Sequence, residues 1–373
     1  MLGFLTKFVW SVAFVALLFS FQLKQVEANQ CEMIVSRGKI GHVEGHMTGR
    51  MVMPIDFLEG GWPDIPGAEW TLCNCNILTV EGGKVMPPLH FGVSPIRRSQ
   101  IRRIVFTDEI TILPRRVSFQ PMQSLDRFFA NFPALEEVTG LHFLDMTYVG
   151  CVSRMFSDTS SLSNLPDIDQ LDVSRVRNFY SMFERSGITT LDLNGWDTSS
   201  MENTRNMFAN SNVTFLHVNR WDVSNLMNAD RMFFNIPLVA LNLYNWHTPN
   251  LRSANSMMQM PLLVELNITN FDFRRAPSDI FFQVPDTLVF LTVGSNFFAS
   301  NELMHIASTE PREYAFAWVN VHDSNHVITS SDSLARGFQA LGYSATTWTE
   351  FYSRGRAGRI IPTITWHRAL VTF

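Results

Sequence analysis

The segment LDLNGWDTSSMENTRNMF, Leu191 to Phe208, returns 25 residues later as LHVNRWDVSNLMNADRMF, Leu216 to Phe233. A repeat of this length constrains the fold more tightly than composition does. One unit is too short to bury its own apolar face and has to stack on its copies. Stepping by 25 from Leu171 lands on Trp196, Trp221, Trp246 and Phe271, a large apolar side chain each time. Two further ladders keep the step: Leu191, Leu216, Leu241, Leu266, Leu291, and Leu193, Val218, Leu243, Ile268, Val293. The alternation Leu-x-Leu predicts a short strand with one buried face.

After the aromatic residue, Ser174, Ser199 and Ser224 recur at one position, and Thr248 followed by Pro249 takes that place in the next unit. These residues predict helix N-caps, with Ser199 and Glu202 as a capping box and Pro249 at a first helical position. Val176, Phe179, Met182 and Phe183, like Leu226, Ala229, Met232 and Phe233, then fall on one face of a short helix. Each unit reads as strand, turn, helix and loop. The stack reads as an α/β leucine-rich-repeat solenoid, a parallel strand ladder backed by short helices. The pairs Phe128–Phe129, Met155–Phe156 and Met182–Phe183 step by 27, so longer units extend the array upstream. The expected layout is a signal peptide at 1–28, an N-terminal β-rich region and cap at 29–99, the solenoid at 100–298 and a small C-terminal α+β segment at 299–373.

The signal-peptide reading rests on Lys7, the apolar run Phe8 to Phe21 and the ending Val26-Glu27-Ala28. That run is shorter than the ~20 residues of a membrane span. A secreted or cell-surface, extracellular protein is therefore expected, with no membrane span after signal cleavage. A formal charge of −5 carries no basic surplus for nucleic acid or an anionic membrane. The four cysteines, Cys31, Cys73, Cys75 and Cys151, allow three full pairings. An oxidising compartment favours a bond from Cys31 to Cys73 or Cys75, the alternative being free thiols in a turn.

The repeat resembles that of the BspA-like leucine-rich-repeat surface proteins of bacteria, especially the Gram-positive group. The resemblance is carried by Leu191, Asp192, Leu193, Trp196, Asp197, Thr198, Ser199, Met207 and Phe208 with their partners one repeat on. WTLCNCNILTV, Trp70 to Val80, is similar to the hairpin that precedes the array in that family, with cysteines where its members carry Asp, Asn and Gly. YAFAWVNV, SSDSLARGF and ITWHRA are similar to its terminal segment. The resemblance implies a non-enzymatic protein that uses its solenoid to bind a host or envelope protein or glycan.

The residues themselves offer no nucleophile motif, no phosphate-cradling loop and no cofactor signature. HVEGH, His42 to His46, lacks the His-Glu-x-x-His spacing of a zinc helix, and its glycines disfavour a helix. What remains is the outward face of the strands. Asp192, His217, Asn242 and Asn267 form one polar column, and Asn194, Asn219, Tyr244 and Thr269 the next. These eight residues are the expected binding surface. A secreted enzyme with catalytic groups in the flanking segments, or a passive structural component of an envelope, are the competing readings.

Overall fold

The computed structural model describes residues 34–39, 67–85, 95–113, 123–272, 287–288 and 290–294, and the backbone of 314–320, 327–328 and 345–354. The signal peptide, Cys31, the His42–His46 segment and Phe281–Phe282 lie outside the described residues. The Leu-x-Leu motifs form short strands, as expected. In chain order these are β1 (Ile34–Lys39), β2 (Glu69–Cys73), β3 (Ile77–Val80), β4 (Gly83–Val85), β5 (Arg103–Phe106), β6 (Ile110–Ile112), β7 (Gln123–Ser124), β8 (Glu137–Thr139), β9 (Leu144–Asp145) and β10 (Val149–Cys151). They continue as β11 (Thr190–Asp192), β12 (Phe215–His217), β13 (Ala240–Asn242), β14 (Glu265–Ile268), β15 (Phe290–Gly294), β16 (Tyr314–Asn320), β17 (Val327–Ile328) and β18 (Ala345–Arg354).

Parallel pairing starts at β3, which runs beside β5 and then β8, and it resumes in β11–β12 and in β13–β14–β15. Leu191 sits opposite Leu216, and Leu241 opposite Leu266, so the ladder read from the sequence is the register of the sheet. Antiparallel strands cover both ends: β2 and β1 lie outside β3, and β18 with β16 lies outside β15. A parallel edge left bare would be a template for further pairing, and these caps remove it.

The core is a set of stacked aromatic columns. Trp221 lies between Trp196 and Trp246, with ring centroids 6.0 and 5.9 Å away, and Trp246 stacks on Phe271 at 6.1 Å. A second column runs Phe129, Phe156, Phe183, Phe208, Phe233 with separations of 5.0 to 5.8 Å. Burying an indole strands its N–H unless an acceptor is found. Trp196, Trp221 and Trp246 each donate to a carbonyl of the coil before, Ile168, Leu193 and Val218, at 2.7, 2.8 and 2.8 Å.

The expected repeat helices are not formed. Where they should lie, the chain makes a run of tight turns whose amides bond from coil to coil. The N–H groups of Phe179, Ser181, Phe183 and Arg185 donate to Asn203, Arg205, Met207 and Ala209 of the next coil at 2.8 to 3.0 Å. The intervening amides of Met182, Glu184 and Ser186 turn back to Phe179, Ser181 and Phe183. The carbonyls of Asn178, Tyr180, Met182 and Glu184 accept from the coil before. A segment this short pays for helix nucleation with few bonds in return, whereas stacked coils supply a partner for each group. The alternation needs left-handed residues, two in each of three successive coils: Ser181 and Arg185 (φ 55° and 56°), Asn206 and Asn210 (57° and 58°), Arg231 and Asn235 (53° and 55°).

The expected caps are corrected with the helices. The amides of Ser174, Ser199 and Ser224 donate to the carboxylates of Asp172, Asp197 and Asp222 at 2.9 to 3.0 Å, so aspartate closes each turn. The side-chain hydroxyl and backbone amide of Ser199 hold the Asp197 carboxyl below its ordinary pKa. Glu202 does not return to Ser199; it pairs with Arg177 of the coil before at 3.3 Å. Thr248 is buried and its hydroxyl bonds to the backbone of Asp272, a tie between coils. The cysteines also differ from expectation: Cys73 bonds to Cys75, two residues on in its own hairpin, and Cys151 is free beside Ser153. Antiparallel β2 and β3 bring these two sulfurs together at the turn, so neither Cys73 nor Cys75 is left for Cys31.

Trp221→Ala should cost about 3 to 5 kcal/mol by chemical denaturation, because it empties the middle of a stack and removes the indole's tie to the Leu193 carbonyl. Ser181→Gly should instead stabilise by roughly 1 kcal/mol, raising the melting temperature. It relieves a left-handed non-glycine residue and deletes a fully buried hydroxyl that has no hydrogen-bond partner.

Candidate recognition site on the strand face

All eight residues expected to form the binding surface are on the outward side of the strands, and none is buried. Their polar atoms are partly committed to the fold. The Asn242 side-chain oxygen accepts the Tyr244 amide at 3.2 Å, and that of Asn267 accepts both the amide and the hydroxyl of Thr269. Asp192 accepts the Asn194 amide in the same way at 3.2 Å. A short Asp or Asn side chain reaches the backbone two residues on, and so finishes the strand.

His217 is the member of this column that cannot make that turn, because an imidazole does not mimic the Asx geometry. It pairs with Asp192 instead, Nδ1 to Oδ2 at 3.3 Å, and packs against the ring of Phe215 with centroids 4.4 Å apart. One residue beyond the place of that turn, the Arg220 amide donates to the Asn194 side-chain oxygen of the coil before at 3.1 Å.

At this coil the strand ladder is broken. β11 bonds to β12, and β13 to β14, yet no pairing joins β12 to β13. Elsewhere the Leu193 amide reaches His217 at 2.9 Å and the Phe215 amide reaches Thr189 at 3.1 Å. The equivalent bonds, Val218 to Asn242 and Ala240 to Thr214, are not made. The turn side of the same coils remains closed, with Asn203 bridged to Asn228 and Asn228 to Ser253. The result is a cleft on the outward face of about 630 Å³, within the range of ligand sites.

Asn194, His217, Asn219 and Asn242 line this cleft, while Asp192, Tyr244, Asn267 and Thr269 lie outside its lining. Sequence reasoning missed Phe215 and Val239, which are 49% and 56% exposed, and the charged residues Arg220 and Glu265. Phe215 stands where the neighbouring coils have Thr190, Ala240 and Glu265. An aromatic residue at an outward strand position, between Thr190 and Ala240 in its column, was the signal that could have found it. Among the described residues no group of three or more His, Cys, Asp or Glu side chains is placed to hold a metal ion. No described helix is long and apolar enough to cross a membrane.

The open ladder has a measurable signature. In hydrogen exchange of the folded protein, the amides of Leu216, Val218, Ala240 and Asn242 should exchange faster than those of Leu191, Leu193, Glu265 and Asn267, whose strands are paired. Equal protection would mean that the cleft is closed in solution.

Two overlapping segments, residues 123–246 and 210–281, match a family described as "Mycoplasma protein of unknown function, DUF285". Comparison with curated proteins found no match. Among solved structures, a leucine rich cell surface protein from Faecalibacterium prausnitzii is similar at 12% identity, over 60% of this chain and 64% of that one, with a TM-score of 0.28. The chain thus spans less than two thirds of the length of that protein. The matched family segments lie within the stacked coils, so the part of the parallel solenoid that they cover is built from repeats similar to that family.

Proposed function

We propose that the protein is a non-catalytic recognition protein of the cell surface or extracellular space, and that it binds a protein or glycan partner through the outward strand face. The observation that carries this reading is the cleft between β12 and β13. It gathers exposed apolar groups, Phe215 and Val239, with the polar side chains of Asn194, His217, Asn219, Asn242 and Arg220. Apolar anchors ringed by polar groups are the usual make-up of a binding hot spot. Tyr244, 44% exposed on the neighbouring strand end, extends the same surface. Backbone bonds and stacked rings hold these groups on rigid elements, so little ordering entropy is lost on binding.

The mature protein should be presented to an array of matrix proteins and glycans, and each ligand found should be titrated against variants. Phe215→Ala combined with His217→Ala should weaken binding by about tenfold or more while the melting temperature changes little, since both side chains face outward. Unchanged affinity in that variant, together with loss of binding on deletion of residues 300–373, would assign recognition to the tail. No binding to any member of the array would favour a passive structural role.

A further inference from the structure

Independently of the solenoid face, the hairpin at its N-terminal end carries a disulfide with no evident structural task. Cys73 and Cys75 are joined across a single intervening residue, Asn74. The hairpin is already closed without them: Trp70, Thr71 and Leu72 pair with Val80, Thr79 and Leu78, and the Asn76 amide donates to the Cys73 carbonyl at 3.2 Å. Asn76 supplies the left-handed turn residue (φ 63°) that this geometry requires. The next coil holds the same turn from below, where the Arg102 amide donates to the Asn76 carbonyl at 2.9 Å. A crosslink stabilises mainly by restricting the unfolded chain, in proportion to the logarithm of the loop that it closes. A loop of three residues is among the smallest possible, so this bond restricts almost nothing that the hairpin has not already fixed.

The two sulfurs are also unequal. Cys73 ends β2 and is buried, at 7% exposure, whereas Cys75 sits at the exposed tip of the turn. Exchange-active disulfides share this asymmetry, one sulfur open to an incoming thiolate and its partner sheltered, because access decides which sulfur is attacked.

We propose that Cys73–Cys75 is a thiol–disulfide exchange site whose co-reactant is an external thiol. The incoming thiolate forms a bond to Cys75 Sγ, the Cys75–Cys73 bond breaks, and its electron pair leaves on Cys73 Sγ. Cys73 can then return to expel the adduct, or a second thiolate can attack the adduct's own sulfur and release it as a disulfide. In the second case two thiols are oxidised, the protein disulfide is reduced by two electrons, and the two protons reside on Cys73 and Cys75. The minimal ring keeps the sheltered thiol beside the mixed disulfide, which favours fast resolution.

The test uses the full mature chain with Cys31→Ser and Cys151→Ser, so that the pair is isolated. Reduced glutathione at neutral pH should open the bond, read by thiol alkylation and intact mass, with the melting temperature unchanged. Reduced thioredoxin in a parallel arm separates a protein dithiol from a small thiol as the source of electrons. In the same background, Cys73→Ser should form a glutathione adduct at Cys75 when given oxidised glutathione. Cys75→Ser should form its adduct at Cys73 roughly tenfold more slowly, or more slowly still. The proposal is overturned if the bond survives both reductants, if reduction lowers the melting temperature as loss of a structural staple would, or if the two single variants react at equal rates.

Discussion

The hydrogen bonding from one coil to the next is the interaction on which everything else in this molecule rests. Along the turn side, alternate amides reach forward 24 residues, and the groups between them are satisfied within the coil or from behind. That pattern sets the coils at the spacing of hydrogen-bonded strands, about 4.8 Å, and the rings stack with centroids 5.0 to 6.0 Å apart. The columns of tryptophan and phenylalanine therefore follow from the backbone bonds, and burial of the rings in turn keeps water away from those bonds. Each indole adds a tie to the previous coil, so aromatic burial and backbone satisfaction reinforce one another.

The same economy explains why polar residues recur at fixed positions. Asp172, Asp197 and Asp222 close turns, Asn242 and Asn267 close strands, and Asn203 donates to Asn178 across one coil boundary. Repetition of a polar residue in this fold is therefore first a sign of backbone support. A surface for recognition is found where the pattern lapses. In the unit of β12, His217 stands where β11, β13 and β14 have Asp or Asn, Phe215 stands between Thr190 and Ala240 in its column, and the ladder opens between β12 and β13. The turn side of those coils stays joined, so the opening is confined to the outward face.

The sequence by itself determined the architecture at the level of its period. The ladders at Leu191, Leu216, Leu241 and Leu266 are the observed register, and the tryptophan column is the observed stack, because burial recurs with the covalent spacing of the units. The eight outward positions were legible for the same reason, since strand alternation alone sends them away from the core. Tertiary structure decided three things that no local pattern encodes. Amides of the turn segment found partners in the neighbouring coil, so residues with helical spacing made tight turns, and Ser199 donates its amide to Asp197 where its side chain was expected to cap a helix. Cys73 found Cys75, because a hairpin turn sets their Cα atoms 5.2 Å apart. The cleft formed because pairing between strands depends on both partners at once, and a single unit read alone cannot show that its neighbour has failed to meet it.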